Sequence, residues 1–127
     1  MKRFVMFMVM VLFLVCVVMG IHGQDIYTDR DEFFLKLFND NIKTKSDWIN
    51  KEVNIYKTTI AYINRMDVGE SSRERTARED AIAMYGALLG FGYRRGYITE
   101  DEMWSKLQII CDKVINRSSE LMNKALK

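Results

Sequence analysis

Beyond residue 28 the apolar positions recur at steps of three and four, the period of a helix with one buried face. Strand signals are absent, and so is proline. The pattern predicts four helices. The first covers residues 29 to about 42, where charges lead and Phe33, Phe34, Leu37 and Phe38 follow on one face. Asp29 suits the N-cap, and Asp31 and Glu32 suit the positive end of a helix dipole. The second helix starts at Ser46. Ile49, Val53, Tyr56, Ile60 and Ile63 form one stripe, and Trp48, Ile55, Thr59, Tyr62 and Met66 a neighbouring one. Together they cover about half the circumference, as for a helix that touches two neighbours.

Residues 66–71 break the pattern, with Gly69 the natural reversal point. Ser71 and Glu74 then have capping-box spacing, and Glu74 with Arg78 and Arg75 with Glu79 are opposite charges four apart. A third helix follows. The fourth begins at Thr99, which makes a second capping box with Glu102. Its expected core face is Met103, Leu107, Ile110, Val114, Leu121 and Ala125. No internal repeat or low-complexity run interrupts this arrangement.

Residues 81–93 are apolar nearly all round, and four glycines lie between 81 and 97. Gly90, Gly92 and Gly96 are one residue too widely spaced for a dinucleotide loop, and they follow a helix rather than a strand. Gly86 and Gly90 make a small-residue pair of the kind that lets helices approach in bilayers. Yet thirteen residues rise only about 20 Å, short of a hydrocarbon core near 30 Å. The expected role is therefore the central helix of the bundle, ended by Gly92 or Gly96, with Arg94 and Arg95 beside its negative end.

The N-terminus changes the picture of charge. Lys2 and Arg3 precede an apolar run over residues 4–19, then Gly20 and Gly23, the layout of a secretory signal peptide over residues 1–23. Cleavage is expected after Gly23 or Gly20; an uncleaved anchor is the competing reading, and it too exports the remainder. Cleavage after Gly23 leaves one domain, residues 24–127. Without Lys2 and Arg3, 17 basic residues face 17 acidic ones, so a nucleic-acid partner is not expected. Cys16 leaves with the signal and Cys111 alone remains. No internal disulfide can form, which excludes small disulfide scaffolds and cysteine-rich odorant carriers.

Candidate chemistry is sparse. The single histidine, His22, belongs to the signal region, so the remaining chain has no imidazole for a nucleophile or for zinc. Glu100, Asp101 and Glu102 cluster at a helix start, where the dipole accounts for them. Cys111 falls about 80° from Met103 at 100° per residue, on the shoulder of the apolar face. It is expected to be an inert core thiol, with an intermolecular disulfide the competing reading. Arg94 and Arg95 form a dibasic pair that could serve processing, although a helix-end role also explains it. Asn116, Arg117 and Ser118 form an N-glycosylation sequon, with Asn116 about 220° from Met103 and so facing solvent.

These readings converge on an all-α protein: a small four-helix bundle following a secretory signal peptide. No enzyme, cofactor or metal is expected. The leading expectation is a secreted protein, monomer or homodimer, that binds an extracellular protein partner. The alternative is a carrier of small hydrophobic ligands, with Phe33, Phe34, Phe38, Trp48, Tyr56, Tyr62, Tyr85, Phe91 and Trp104 lining a cavity.

Overall fold

The computed structural model describes residues 29–126, which hold four helices and no strand. Helix α1 is Asp29–Asn41, α2 Lys45–Asn64, α3 Ser72–Arg94 and α4 Glu100–Ala125. The expected signal segment, its expected cleavage sites and His22 lie outside the described residues.

The helix ends are set by short-range hydrogen bonds. Ser46 sits inside the first turn of α2, because Thr44 and Asp47 form the capping box. The Thr44 hydroxyl accepts from the Asp47 N–H at 3.1 Å. The Asp47 carboxylate in turn accepts from the N–H groups of Lys43 and Thr44, at 3.0 and 3.1 Å. Thr99 and Glu102 build the same device at the start of α4. Ser71 caps α3 by accepting from the Glu74 N–H, but the Glu74 carboxylate turns to Arg65 at 3.4 Å. Helix α3 runs through Gly92 and stops at Gly96, whose φ of +75° a side chain would resist. There the Tyr97 and Gly96 N–H groups reach back to the carbonyls of Gly92 and Tyr93, a Schellman closure.

The helices run up, down, up, down, with α3 in contact with all three others. Phe38 against Phe91 and Asn39 against Arg95 set α1 parallel to the second half of α3. Trp48 at Leu88, Thr59 at Ala81 and Arg65 at Glu74 run α2 the opposite way. Lys106 at Glu52 and Arg117 at Met66 lay α4 parallel to α2. The all-round apolar character of α3 is thus spent on burial: Ala81, Ala83, Tyr85, Gly86, Leu88, Leu89, Phe91 and Gly92 are covered.

Three expectations about faces change. On α2 the buried residues are Trp48, Ile55, Thr59 and Ile63, while Ile49 and Val53 are 45% and 43% exposed. The core uses the stripe that begins at Trp48 as far as Thr59, because α3 receives the indole there, and then Ile63 of the other stripe. On α1, Phe34 and Phe38 are buried and Phe33 is exposed. On α4, Met103, Ile110, Cys111 and Leu121 are buried, Leu107 and Val114 half-buried, and Ala125 exposed in the last turn. Of the expected small-residue pair, Gly90 is not a point of close approach. A Cβ at Gly90 would meet nothing within 4 Å, whereas one at Gly92 would lie 2.5 Å from the Trp48 ring.

Glu74 and Arg78, expected to pair with each other, pair instead with Arg65 and Glu70. Arg78 donates to both Glu70 oxygens, at 2.6 and 2.7 Å, and both side chains are nearly buried. The guanidinium holds the Glu70 carboxyl below its ordinary value near 4.5, against an opposing push from burial. A carboxylate lowered on folding stabilises the fold above its unfolded pKa, and that contribution fades as pH falls through the folded value. Arg78→Met should therefore flatten the acid limb of the stability curve. It should not abolish it, since backbone N–H donors also lower Asp47 and Glu102. Urea midpoints at neutral pH and about pH 3 would show this. Equal acid losses in the two proteins would mean the pair contributes nothing.

Candidate functional site

The α2–α4 seam is the place where charged side chains enter the edge of the core. Glu52 and Lys106 each interrupt an apolar pattern, and they meet at 2.8 Å, both half-buried. The Tyr85 hydroxyl donates to the other Glu52 oxygen at 3.4 Å. Burial, and then the negative charge of Glu52, push the Tyr85 phenol upward, so it stays a neutral donor. One turn further along, the Tyr56 ring packs on Tyr85 at 5.8 Å. At the far end Arg117 gives two hydrogen bonds, 2.8 and 3.1 Å, to the Met66 carbonyl just past α2. These bonds satisfy an orphan helix-end carbonyl and place a cation at the negative pole.

This polar line fixes what lies on the solvent side of the seam. At 100° per residue, Ile49 and Val53 lie about 60° and 100° round α2 from Glu52. Ile109 lies about 60° round α4 from Lys106 in the opposite sense, which for parallel helices is the same side of the molecule. Ile109 is 44% exposed, matching Ile49 and Val53. Tyr56 and Ile60, half-buried, floor the stripe between them. Charges of both signs border it: exposed Lys45 and Lys57 on α2, and exposed Glu102, Asp112 and Lys113 on α4. Isolated surface apolar residues need no explanation, but here three flank one seam. Sequence reasoning placed Ile49 and Val53 in the core and did not single out Ile109. The signal available was Glu52, a carboxylate within the apolar stripe that marks where burial ends.

The other singled-out residues lie elsewhere. Cys111 is fully buried, and desolvation, then the Asp112 charge, push its thiol up to about 11. An intermolecular disulfide needs an accessible thiolate, so this placement leaves that bond no route while α4 is packed. Cys111 should resist a thiol reagent in the folded protein and react fully in denaturant. Fast labelling under native conditions would mean that α4 opens locally.

Arg94 ends α3 and Arg95 caps it. Arg95 donates to the Asn39 side chain at 2.9 Å and stacks 4.8 Å from the Phe91 ring centroid. The 95–96 bond thus sits in the Schellman turn, not in the extended segment a processing protease would grip. Asn116 is exposed midway along α4. Of the aromatic residues proposed to line a cavity, Phe34, Phe38, Trp48, Tyr85 and Phe91 are buried, and Phe38–Phe91 and Tyr56–Tyr85 pack ring on ring. Among the described residues no cluster of three metal-binding side chains occurs. No described helix is long and apolar enough to cross a membrane. Glu32, Leu35, Lys36, Asn39 and Asp40 line an open depression on the outer face of α1. Comparison of the chain with protein-family models, curated proteins and solved structures gave no match.

Proposed function

We propose that the protein is an exported, non-catalytic binding protein that engages an extracellular protein partner through the solvent side of the α2–α4 seam. The observation that carries this reading is the exposed stripe of Ile49, Val53 and Ile109 bordered by charged side chains of both helices. An apolar centre with a charged rim is the usual anatomy of a protein contact. The complementary surface would carry an apolar patch with a charged rim, including carboxylates opposite Lys45 and Lys57. Export rests on the signal-like residues 1–23.

The test is affinity capture from extracellular fluid, with the chain and its seam variants compared side by side. Ile49→Ser with Val53→Ser should leave the melting transition nearly unchanged, because both side chains are already partly in water. The same pair should abolish capture, whereas Lys36→Ser, on the outer face of α1, should not. Capture that survives the seam variants would refute this face. A co-purifying lipid in place of a protein would favour carriage, and a dimer dissolved by the same variants would make a second copy the occupant.

A further inference from the structure

Asn116 follows Ile109 by seven residues, so the two share a face of α4 about 10 Å apart along the axis at 1.5 Å per residue. The sequon therefore opens onto the solvent side of the α2–α4 seam. It also lies inside an unbroken helix, Glu100–Ala125. Residues two apart in a helix do not face each other, which holds the Asn116 amide and the Ser118 hydroxyl on different sides. The residues between and after the amide are engaged in the fold. Arg117 holds the Met66 carbonyl at 2.8 and 3.1 Å, and the Ser118 hydroxyl lies 3.8 Å from the Met66 sulfur. Bringing amide and hydroxyl together, as the acceptor geometry requires, would unwind α4 and release the α2–α3 turn.

We infer that Asn116 is an N-glycan acceptor modified only before α4 folds, and that its glycan then closes the seam at the Ile109 end, leaving the Ile49 and Val53 end open to a partner. In the transfer, Asn116 Nδ2 bonds to the anomeric carbon of a lipid-linked oligosaccharide diphosphate. The carbon–oxygen bond to the diphosphate breaks, the lipid diphosphate leaves with the bonding electrons, and one amide proton passes to a base of the transferase. Folding afterwards locks Arg117 and Ser118 onto Met66 and leaves the sugar chain projecting beside Ile109. The closing role rests on the seam being the docking face; the order of modification and folding does not.

The test begins with the full chain expressed in a eukaryotic secretory system. A glycosidase-sensitive mobility shift is expected, and Asn116→Gln or Ser118→Ala should remove it. The aglycosylated full chain, folded and purified, is then offered to the transferase with a lipid-linked donor. It should accept no sugar, while a peptide of residues 110–122 and the destabilised variant Leu121→Ala should. Transfer to the folded wild type at the rate of the peptide would overturn the order of events. Finally, an apolar fluorescent dye should bind less to the glycosylated protein than to Asn116→Gln. Equal dye binding would overturn the closing role, and a secreted chain without sugar would overturn the site itself. Failure of the seam reading looks different: partner capture would then be indifferent to Ile49→Ser with Val53→Ser, whatever the glycan does.

Discussion

Gly92→Ala is expected to destabilise the folded chain, and to become neutral or stabilising once Trp48 is also replaced by alanine. Within a helix the substitution should gain up to about 1 kcal/mol from backbone entropy. Here the new methyl group would sit 2.5 Å from Trp48 Cε2 and 2.6 Å from Cζ2 and Nε1, distances at which something must move. The indole has little room to do so. It is 2% exposed, and its N–H donates at 2.9 Å to the carbonyl of Leu88, one turn before Gly92. Moving the ring strains a packed interior, typically by about 1–3 kcal/mol, and stretches a buried hydrogen bond. The net expected loss is roughly 1–3 kcal/mol. Trp48→Ala by itself should cost about 3–5 kcal/mol. In that background the clash is gone and only the propensity gain remains. Four denaturation curves measure the cycle. If Gly92→Ala stabilises the wild-type protein, the indole does not rest on this glycine.

The cycle also shows why the fold was legible and its contacts less so. Helix positions follow from local chemistry: Thr99 and Glu102 read directly as a cap, and Gly92 or Gly96 as a stop, of which the chain uses Gly96. The central role of α3 followed from its lack of a polar face. Which stripe of α2 faces inward did not follow, because both stripes are apolar and the choice is made by α3. Glycine spacing pointed to Gly86 and Gly90; Gly90 has open space beside it, whereas Gly92 lies against a large ring and not a small residue. The partners of Arg78 and Glu74 were missed for a similar reason. The tight turn after α2 brings Glu70 and Arg65 within reach, and such pairs outcompete a solvent-exposed neighbour four residues on. The seam was the least legible feature. Its apolar residues look like core in the sequence, and only the Glu52–Lys106 contact shows which side of them faces water.

Phe38→Ala should remove α1 from the bundle before the rest unfolds. Helix α1 has thirteen residues, too few for a stable helix alone in water, so its order comes from docking on α3. The polar contacts offer little. Arg30–Asp80 at 2.8 Å is half-exposed and Arg95–Asn39 exposed, and pairs so open to solvent contribute about 0–1 kcal/mol. Docking therefore depends on Phe34, Phe38 and Ile42, all at most 5% exposed. Phe38 is central among them, fully buried with its ring centroid 6.0 Å from that of Phe91. Truncating a buried phenylalanine costs about 3–5 kcal/mol, a large share of the 5–15 kcal/mol that holds a typical domain. Because α1 packs chiefly on α3, the loss should first appear as fast amide exchange across residues 29–41. Amides at the α2–α3 contact near Thr59 and Ala81, held by their own packing, should remain protected until the main transition. Uniform loss of protection across all four helices would mean that α1 is an inseparable part of one cooperative core. Unchanged exchange in α1 would mean that Phe38 does not anchor it.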